Sequence, residues 1–436
     1  MKNISTLLFL FISINIFGQV FYELPNMPMP VANNAVTEAT VNGITHVYSF
    51  AGIDETKIYT GIHKKAFRYN TQSQVWDEIA ELPSGNGRIA AGASVVKNKI
   101  YIIGGYEVFS NGSEVSVNKT HIYNPETNSY EADGTPIPLA IDDHVQAVWK
   151  DSLIYVVTGW SNNTNYPNVQ IYNPLDDEWM TGTPVPNTND YKAFGASGAI
   201  VGDTIYYLGG AKSSSGFNIS SSLRRGIIDS NDPTNITWSL VPNVSGKVYR
   251  AAAIPFLNSI YWIGGSEVTY NFNGIAYNDS GGVPPRENLT ILFTENDSLI
   301  EVAPDMFGNG MPQVMDLRGI ASLNDGGRAI IAGGIVANQQ VTDKVFEVDV
   351  WTALVANQNI NLNPFKISPN PTADFFILEK EGNFDLQIWD ISGKLFLEKN
   401  SNGFDEINIS NLNSGVYFVK IFEKRKWIGI EKLVVD

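Results

Sequence analysis

The stretch "NSIYWIGGSE", residues 258–267, decides the fold of this chain. Four large apolar residues, Ile260 to Ile263, run directly into the glycine pair Gly264-Gly265, and the carboxylate of Glu267 follows. An apolar β-strand ordinarily continues or turns into a hairpin, whereas glycine inside such a run marks a close approach of another backbone. The pair therefore needs a structural reason, and the rest of the sequence supplies one.

The same apolar run followed by glycine occurs six times. Its last glycines lie 53, 54, 51, 55 and 69 residues apart, at Gly52, Gly105, Gly159, Gly210, Gly265 and Gly334. Copies 1 and 3 keep only one glycine of the pair. Each copy has a short apolar strand before the run, and after it a polar loop and two further strands. Four short strands repeated at a period near 50 residues predict a radial array of antiparallel sheets.

An aromatic step accompanies this period. Tyr69 precedes Trp76 by seven residues, and Tyr123 and Tyr172 precede Tyr130 and Trp179 by the same interval. The order of glycine pair, tyrosine, seven-residue step and proline resembles the kelch motif over residues 20–355. That resemblance implies an all-β, six-bladed β-propeller. We interpret the glycines as architectural, because they would let the backbones of neighbouring blades approach each other.

The N-terminal segment "VFYELPNMP" (20–28) is similar to the outer-strand segment "VWDEIAELP" (75–83). It has no blade of its own, and an unpaired outer edge would be prone to aggregation. We therefore predict that it completes the sixth blade beside "KVFEVDVW" (344–351). The alternative is that the last blade ends with "TALVAN" (352–357) and the N-terminal strand lies elsewhere.

The two ends of the chain differ from the repeats. Residues 1–18 have a basic start, a short apolar run and a small residue, which is typical of a secretory signal peptide. Residues 356–363 are polar and favour a linker, and residues 364–436 alternate as a small Ig-like β-sandwich would.

The tail resembles the C-terminal sorting domain of the type IX secretion system of Bacteroidota. The resemblance is carried by Pro369-Asn370-Pro371, Asp390 with Ser392-Gly393-Lys394, Leu412, Gly415-Val416-Tyr417 and residues 432–435. It implies handling by that secretion machinery and a secreted or outer-surface location. A sandwich that only binds a ligand is the alternative.

Composition excludes several classes of function. The 436 residues contain no cysteine, which rules out disulfides, thiolate metal sites and cysteine nucleophiles. The net charge of −16 argues against nucleic acid or an anionic membrane as a partner. The four histidines show no metal-ligand spacing. We predict no metal, no cofactor and no membrane span in the mature chain, and we expect a monomer.

Strand order indicates which face binds a ligand. The loops between the second and third strands of each blade (b–c loops; 106–119, 160–168, 211–222 and 266–287) share a face with the connections between blades (d–a connections). Long loops over a rigid scaffold commonly carry binding sites. The residues that enter the first strands would ring the channel mouth on this face: Asn34, Arg88, His144, Lys192, Arg250 and Arg318.

A ring of this composition would be mostly basic and would attract a small anion, in particular a carboxylate. The alternative is that these side chains bond neighbouring backbone and tie the blades together. Glu107 and Glu267 follow glycine stops on the same face and are weak candidates for acid–base chemistry on a sugar.

Two hypotheses for the function remain. The first is a secreted binding or adhesion module that presents its loop face to a glycan or a protein. The second is an enzyme acting on acidic sugars, which similarity to kelch-type sialic acid epimerases suggests. A copper enzyme resembling galactose oxidase is excluded, because the chain lacks the cysteine of the thioether-linked radical that such enzymes need. Binding is preferred over catalysis.

Overall fold

A computed structural model describes residues 21–214, 216–303, 312–323, 327–350, 365–380, 382–390, 395–402, 404–423 and 426–436. The described elements are β-strands, with two short 3-10 turns at Tyr59–Gly61 and Ala337–Gln339. The predicted signal peptide (1–18) and linker (356–363) lie outside the described residues.

The described residues between 21 and 349 form six antiparallel sheets, five of four strands and one of five, which are the blades of a propeller, as the repeat predicts. Their strands are as follows. An N-terminal strand, β1, spans Phe21–Leu24. Blade 1 holds β2 Ala35–Val41, β3 Ile44–Ile53, β4 Ile62–Asn70 and β5 Val75–Ile79. Blade 2 holds β6 Ile89–Val96, β7 Lys99–Val108, β9 Thr120–Asn124 and β10 Ser129–Tyr130, with β8 Glu114–Ser116 added to β7. Blade 3 holds β11 Val145–Trp149, β12 Leu153–Val157, β15 Val169–Asn173 and β16 Glu178–Gly182, and its b–c loop forms the hairpin β13 Trp160–Ser161 and β14 Thr164–Asn165.

The remaining blades follow the same plan. Blade 4 holds β17 Ser197–Val201, β18 Thr204–Leu208, β19 Ser222–Asp229 and β20 Asp232–Ser245. Blade 5 holds β21 Ala252–Phe256, β22 Ser259–Ile263, β23 Leu289–Phe293 and β24 Ser298–Val302. Blade 6 holds β25 Ala321–Ser322, β26 Arg328–Ala332 and β29 Val345–Asp349, and its b–c loop forms the hairpin β27 Ile335–Val336 and β28 Gln340–Val341.

The N-terminal strand closes the ring of blades. β1 pairs antiparallel with β29, with Phe21 opposite Val348 and Leu24 opposite Val345. Phe21 is buried among apolar residues of blades 5 and 6. The predicted closure beside "KVFEVDVW" is thus confirmed, and the outer edge of the last blade is covered.

The seven-residue aromatic step has a simple geometric origin. Tyr69 lies directly opposite Trp76 across β4 and β5, and Tyr172 lies opposite Trp179 across β15 and β16. The ring centroids of these pairs are 5.1 and 5.0 Å apart. A tight turn between two strands fixes this spacing, so each pair is a cross-strand contact within one blade.

The glycine pairs lie where one blade meets the connection that enters the next. Gly264 has φ +67°, and a Cβ there would collide with the carbonyl oxygen of Val314. The N–H of Gly265 donates to that same oxygen at 2.9 Å. Gly104, Gly209 and Gly333 approach Ile141, Val248 and Val31 in the same way. The architectural interpretation of the opening stretch is therefore confirmed.

Copies 1 and 3 keep this backbone without the first glycine. Ala51 and Thr158 take that position with φ of +57° and +47°. The hydroxyl of Thr158 compensates by donating to the carbonyl oxygen of Tyr166 at 2.8 Å and accepting from the N–H of Ala193 at 3.1 Å. Left-handed backbone disfavours residues with a Cβ, so the conformation is imposed by packing between blades.

Strand b does not always stop at the glycines, contrary to the sequence-based expectation. β22 ends at Ile263, but β3 continues to Ile53 and β7 to Val108. The reason is additional pairing in the b–c loop, since Ile53 pairs with Ile62 and Tyr106 pairs with Ser116 of β8.

The wall of the central channel contains a carboxyl group with a raised pKa. Glu38 of blade 1 is half-buried, and its Oε2 accepts a hydrogen bond from the N–H of Ser322 in blade 6 at 2.8 Å. Burial raises the pKa of Glu38 to about 7. Blades 1 and 6 are the first and last of the ring, so this contact also joins the two ends of the propeller.

We expect Glu38 to make stability depend on pH. Because its folded-state pKa lies above the unfolded value, the folded protein keeps a proton that the unfolded chain releases. The free energy of unfolding should fall by about 1–3 kcal/mol as pH rises from about 5 to about 8. Urea unfolding at the two pH values should show a smaller fall in Glu38→Gln than in the parent protein. In the matched exposed variant Glu81→Gln, the fall should equal that of the parent protein. An equal fall in Glu38→Gln would contradict the assignment.

Residues 365–436, where described, form two facing sheets around a separate core. One sheet holds β30 Lys366–Ser368, β31 Phe375–Glu379 and β34 Glu406–Asn408; the other holds β32 Asn383–Asp390, β33 Leu395–Asn402, β35 Gly415–Glu423 and β36 Lys426–Val435. Asn370 joins the Pro-Asn-Pro segment to the last strand, since its side chain accepts from the N–H of Val434 at 2.8 Å. Of the motif residues that suggested a sorting domain, 392–394 lie outside the described part.

Candidate functional site

In each blade, a single residue that lies shortly before the first strand or at its start has left-handed backbone. We call this set the axial ring: Asn33, Ala90, Asp143, Gly195, Arg250 and Asp316. Hydrogen bonds connect its members from blade to blade. For example, Asp143 N donates to Ala90 O at 3.1 Å, and Gly195 N donates to Asp143 O at 2.8 Å. The circuit closes through Asn33, whose N–H donates to Asp316 O at 2.9 Å. The ring therefore links all six blades through hydrogen bonds around the channel.

A charged hub lies inside the axial ring. Arg250 donates from Nε and Nη2 to the two oxygens of Asp143, at 3.1 and 2.6 Å, and from Nη1 to Asp316 Oδ1 at 3.1 Å. Arg318 lies 3.7 Å from Asp143 and donates to the carbonyl oxygen of His144 at 2.8 Å. These four charged side chains, Asp143, Arg250, Asp316 and Arg318, are all buried. Two positive and two negative charges balance within the hub.

Burying the charged groups of the hub costs desolvation free energy. Burial raises the pKa of Asp316 to about 6, although Arg250 favours the ionised carboxylate. Desolvation therefore exceeds the attraction from the paired cation, as is common for buried ion pairs. The pKa of Arg250 is raised well above its usual value because the attraction of Asp143 and of neighbouring tyrosines outweighs the opposing effect of burial. Arg250 therefore keeps its charge.

A cavity of about 130 Å³ opens above the hub on the loop face. We call it the loop cleft. Its aromatic walls come from five residues: Tyr106, Trp160, Phe194, Phe217 and Tyr277. Its polar lining consists of Glu114, Asp142, Asp143, Asn162, Arg250 and Asn271.

The aromatic walls form one connected cluster. The rings of Trp160 and Phe217 meet edge to face at 5.4 Å, and those of Phe217 and Tyr277 lie 4.7 Å apart. Phe194 contacts all three, at 5.4 to 6.1 Å. Phe217 has φ +45°, which is unusual for a bulky side chain and is typical of strained functional loops. Its strained backbone aims an aromatic ring into the cleft.

Two carboxylates of the loop cleft have no cationic partner. Asp142 is 3% exposed, and its Oδ2 accepts from the hydroxyl of Ser116 at 2.5 Å. Burial, and secondarily Asp143, raises the pKa of Asp142 well above its usual value. Glu114 lies at the exposed rim, where its carboxylate likewise has no partner within the described part of the chain.

Local structure explains why these groups converge. Asp142 exchanges two backbone hydrogen bonds of 2.9 Å with Trp160, which fixes both side chains at the cleft. The pairing of β8 with β7 folds the blade 2 loop back and brings Glu114 to the rim. Phe217 and Tyr277 come from the loops of blades 4 and 5. The cleft is thus built by four consecutive blades.

Comparisons with known families agree with this architecture. Residues 23–210 match the KLHDC2/KLHL20/DRC7 Kelch-repeats domain, and residues 366–436 match the secretion system C-terminal sorting domain. This chain carries a kelch-repeat domain and a type IX sorting domain. The sorting domain indicates export by the type IX secretion system to the medium or the cell surface. No helix among the described residues has the length and apolarity needed to cross a membrane.

Similar proteins share parts of the kelch domain. Kelch-like protein 23 of Homo sapiens is 26% identical over 194 residues, covering 44% of this chain and 32% of the relative. N-acetylneuraminate epimerase of Pasteurella multocida (strain Pm70) is 27% identical over 161 residues, covering 36% and 39%. The chain thus spans about a third of the length of the curated relatives it matches. The solved structure titled "Structure of YjhT" aligns with a TM-score of 0.55 at 19% identity, covering 74% of this chain and 95% of that one, which shows a shared fold.

The residues predicted to form a basic ring in the kelch domain do not occupy equivalent positions in the six blades. Arg250 belongs to the axial ring, but the ring positions of the neighbouring blades are Asp143, Gly195 and Asp316. Lys192 lies three residues before Gly195 and is half-buried away from the hub. The predicted positions are displaced in most blades because the d–a connections differ in length and conformation.

Arg88 and Asn34 tie kelch strands together. Arg88 is buried, donates to Gly104 O at 3.1 Å and contacts His121 Nε2 at 2.8 Å. Burial lowers the pKa of Arg88 to about 10. Asn34 donates to Ser49 Oγ at 2.8 Å and to Ala332 O at 3.2 Å, joining blades 1 and 6. These contacts agree with the alternative that the entry residues hold backbone together.

His144 and Arg318 face a second cavity of about 130 Å³, in the channel below the axial ring. His144 Nε2 lies 3.0 Å from Gln146 Oε1, and burial lowers the pKa of His144 to about 3. The imidazole is therefore neutral near pH 7. Because Arg318 is engaged by Asp143 and by backbone, this cavity offers an anion little free positive charge.

Glu107 and Glu267 do not line the loop cleft. Glu107 accepts from Asn86 Nδ2 at 2.9 Å, and Glu267 is exposed. The Asp142-Asp143 pair at the entry to blade 3 was not among the residues predicted from the sequence, although two adjacent carboxylates before an apolar strand are a visible signal. Glu114 was not predicted either, because its position depends on the unforeseen strand β8. No group of three potential metal ligands occurs among the described residues.

Proposed function

We propose that this protein is an exported binding module that captures a ligand on the loop face of its kelch propeller, with the loop cleft as the principal contact. The observation that carries the proposal is the cleft itself, an open cavity whose walls are connected aromatic rings and whose floor is a rigid charged hub. Aromatic walls with a few oriented polar groups are the usual composition of ligand pockets. Tyrosine and tryptophan in such pockets dominate binding energy.

Two kinds of ligand, a glycan and a protein, are compatible with this binding function. Both would use the same edge of the propeller, where the b–c loops of blades 2–5 project. Asn162 and Asn271 line the cleft and supply amide groups for hydrogen bonds to either ligand. Export by the type IX system brings the module into contact with extracellular glycans and proteins.

We expect Trp160→Ala to weaken ligand binding at least tenfold, because it removes a ring of the cleft wall that packs against both Phe194 and Phe217. Arrays of glycans and peptides probed with the mature chain would identify ligands, and titration calorimetry would measure the loss. Tyr59→Ala is the matched control, since Tyr59 is an exposed aromatic residue in the b–c loop of blade 1. Circular dichroism would establish that both variants are folded. Equal affinity in Trp160→Ala would contradict the proposed contact.

An enzyme acting on acidic sugars is the second candidate. Its support is the 27% identity to an N-acetylneuraminate epimerase and the carboxyl groups of Asp142 and Glu114 in the cleft. A buried carboxyl group with a raised pKa is a recurrent feature of acid–base catalysts. Turnover of sialic or uronic acids, followed by NMR and abolished by Asp142→Asn, would favour this candidate over simple binding.

A further inference from the structure

Charge in the loop cleft is not balanced. Asp143 and Asp316 are neutralised within the hub by Arg250 and Arg318. Among the described residues lining the cleft, Arg250 is the only basic one, and all three of its guanidinium nitrogens already donate to carboxylates. Asp142 and Glu114 remain without a partner cation. An anionic ligand would therefore find no cation free to pair with it and would face the carboxyl groups of Asp142 and Glu114 instead.

The aromatic walls suit a positive charge. Tryptophan, tyrosine and phenylalanine rings attract ammonium groups through their negative faces. Trp160, Phe217 and Tyr277 surround the same small volume, so a cation there would contact several rings while facing the two carboxylates. Desolvation by these walls would strengthen each of the attractions.

The size of the cleft limits what can enter. Its volume of about 130 Å³ is close to the roughly 150 Å³ of a cavity that admits benzene. An alkylammonium chain, or the amine-bearing edge of one sugar ring, fits such a space. A whole oligosaccharide does not, so a larger ligand would insert one group.

We infer that the loop cleft recognises a protonated amine carried by the ligand, with Asp142 and Glu114 as the ion-pairing groups and the Trp160–Phe217–Tyr277 walls as the cation–π surface. This inference rests on the proposed binding function and specifies its ligand chemistry. Lysine side chains and unacetylated amino sugars share that chemistry. The charge is opposite to the one that the sequence analysis expected.

Proton release should accompany binding. Asp142 faces Asp143, Glu114 and Arg250, and Ser116 donates to it. Burial keeps its pKa raised in the empty cleft, and a bound cation would favour the ionised form. Affinity for an amine that stays protonated should consequently rise with pH.

The test is titration calorimetry of the mature full-length chain with n-butylammonium, butyrate and 1-butanol at constant ionic strength. We expect butylammonium to bind at least tenfold more tightly than either of the others, and its affinity to fall as salt is added. Two further pairs identify the source of the amine: a lysine peptide against its Nε-acetylated form, and a glucosamine oligomer against the N-acetylglucosamine oligomer. In the relevant pair, acetylation should cost at least tenfold in affinity.

Variants distinguish binding of the cation in the cleft from nonspecific attraction of the cation to an acidic protein. Asp142→Asn and Glu114→Gln should each weaken butylammonium binding about tenfold. Asp279→Asn, which removes an exposed carboxylate from the blade 5 loop on the same face, should leave it unchanged. Tighter binding of butyrate, absence of butylammonium binding, or full affinity in both cleft variants would overturn the inference. If a neutral or acidic ligand binds and is lost in Trp160→Ala, the inference fails while the proposed binding function stands.

Discussion

Replacing Arg250 by methionine is expected to lower the free energy of unfolding of the propeller by about 3–5 kcal/mol, the range measured when one member of a buried ion pair is removed. Arg250 is 1% exposed and bonds to Asp143 and Asp316, which are equally buried. Its loss leaves two carboxylates in the channel with Arg318 as the remaining cation of the hub. Urea unfolding at pH 7 would measure the change.

A second variant tests whether unpaired carboxylate charge causes the loss of stability. Arg250→Met combined with Asp316→Asn leaves one carboxylate, Asp143, facing the one remaining cation, Arg318, and we expect it to recover most of the lost stability. Lys192→Met serves as the control, because it removes a basic residue that the sequence grouped with Arg250 but that lies outside the hub. A loss below about 1 kcal/mol in Arg250→Met would show that water or rearrangement already compensates these carboxylates. Loss of ligand binding in an Arg250 variant is therefore not by itself evidence for a ligand contact.

The second large effect concerns the opening stretch. Gly264→Ala is expected to lower the free energy of unfolding by about 2–4 kcal/mol, the sum of a left-handed backbone penalty near 1 kcal/mol and an overpacking penalty of about 1–3 kcal/mol. The added Cβ would collide with the carbonyl oxygen of Val314, which also accepts the N–H of Gly265. Relief would require blades 5 and 6 to separate. Denaturant unfolding again supplies the measurement.

Gly43→Ala separates the two contributions. Gly43 has φ +77° in the hairpin turn of blade 1, and a Cβ there would meet nothing within 4 Å. It should cost only the backbone penalty, about 1 kcal/mol. The reverse change, Ala51→Gly, should be neutral or slightly stabilising because Ala51 already bears that penalty at φ +57°. Equal losses in Gly264→Ala and Gly43→Ala would show that contact between blades does not require the glycine.

The blade architecture could be predicted because its causes are local and repeated. A close approach of two backbones admits only a few residue types, and it recurs in every blade, so Gly104, Gly209, Gly264 and Gly333 mark it in the sequence. The tyrosine-to-tryptophan step is likewise fixed by a short turn. Closure by β1 followed from the resemblance of two outer-strand segments.

The axial ring was harder to locate because it depends on backbone conformation. Four of its six members, Asn33, Asp143, Gly195 and Asp316, are residue types that adopt left-handed backbone readily. That preference was the available signal. Side-chain charge was a misleading guide, since Arg88 and Lys192 lie two and three residues before the left-handed position of their blades, whereas Arg250 occupies that position itself.

The loop cleft could not be predicted from the repeats. Its aromatic and acidic residues come from loops of different length in four blades. Glu114 is placed by β8, which among the described residues has a counterpart in no other blade sheet. The positions of such residues depend on how unrelated loops pack against one another. Sequence spacing contains no information on that packing.

The pairing of β1 with β29 has a consequence for export. Residues 21–24 find their partners at 345–348, so more than 300 residues must be present before the ring can shut. A chain interrupted anywhere before blade 6 has a first strand with no neighbour and a last blade with a bare edge. Completion of the circle therefore reports that the chain has emerged as far as residues 345–348.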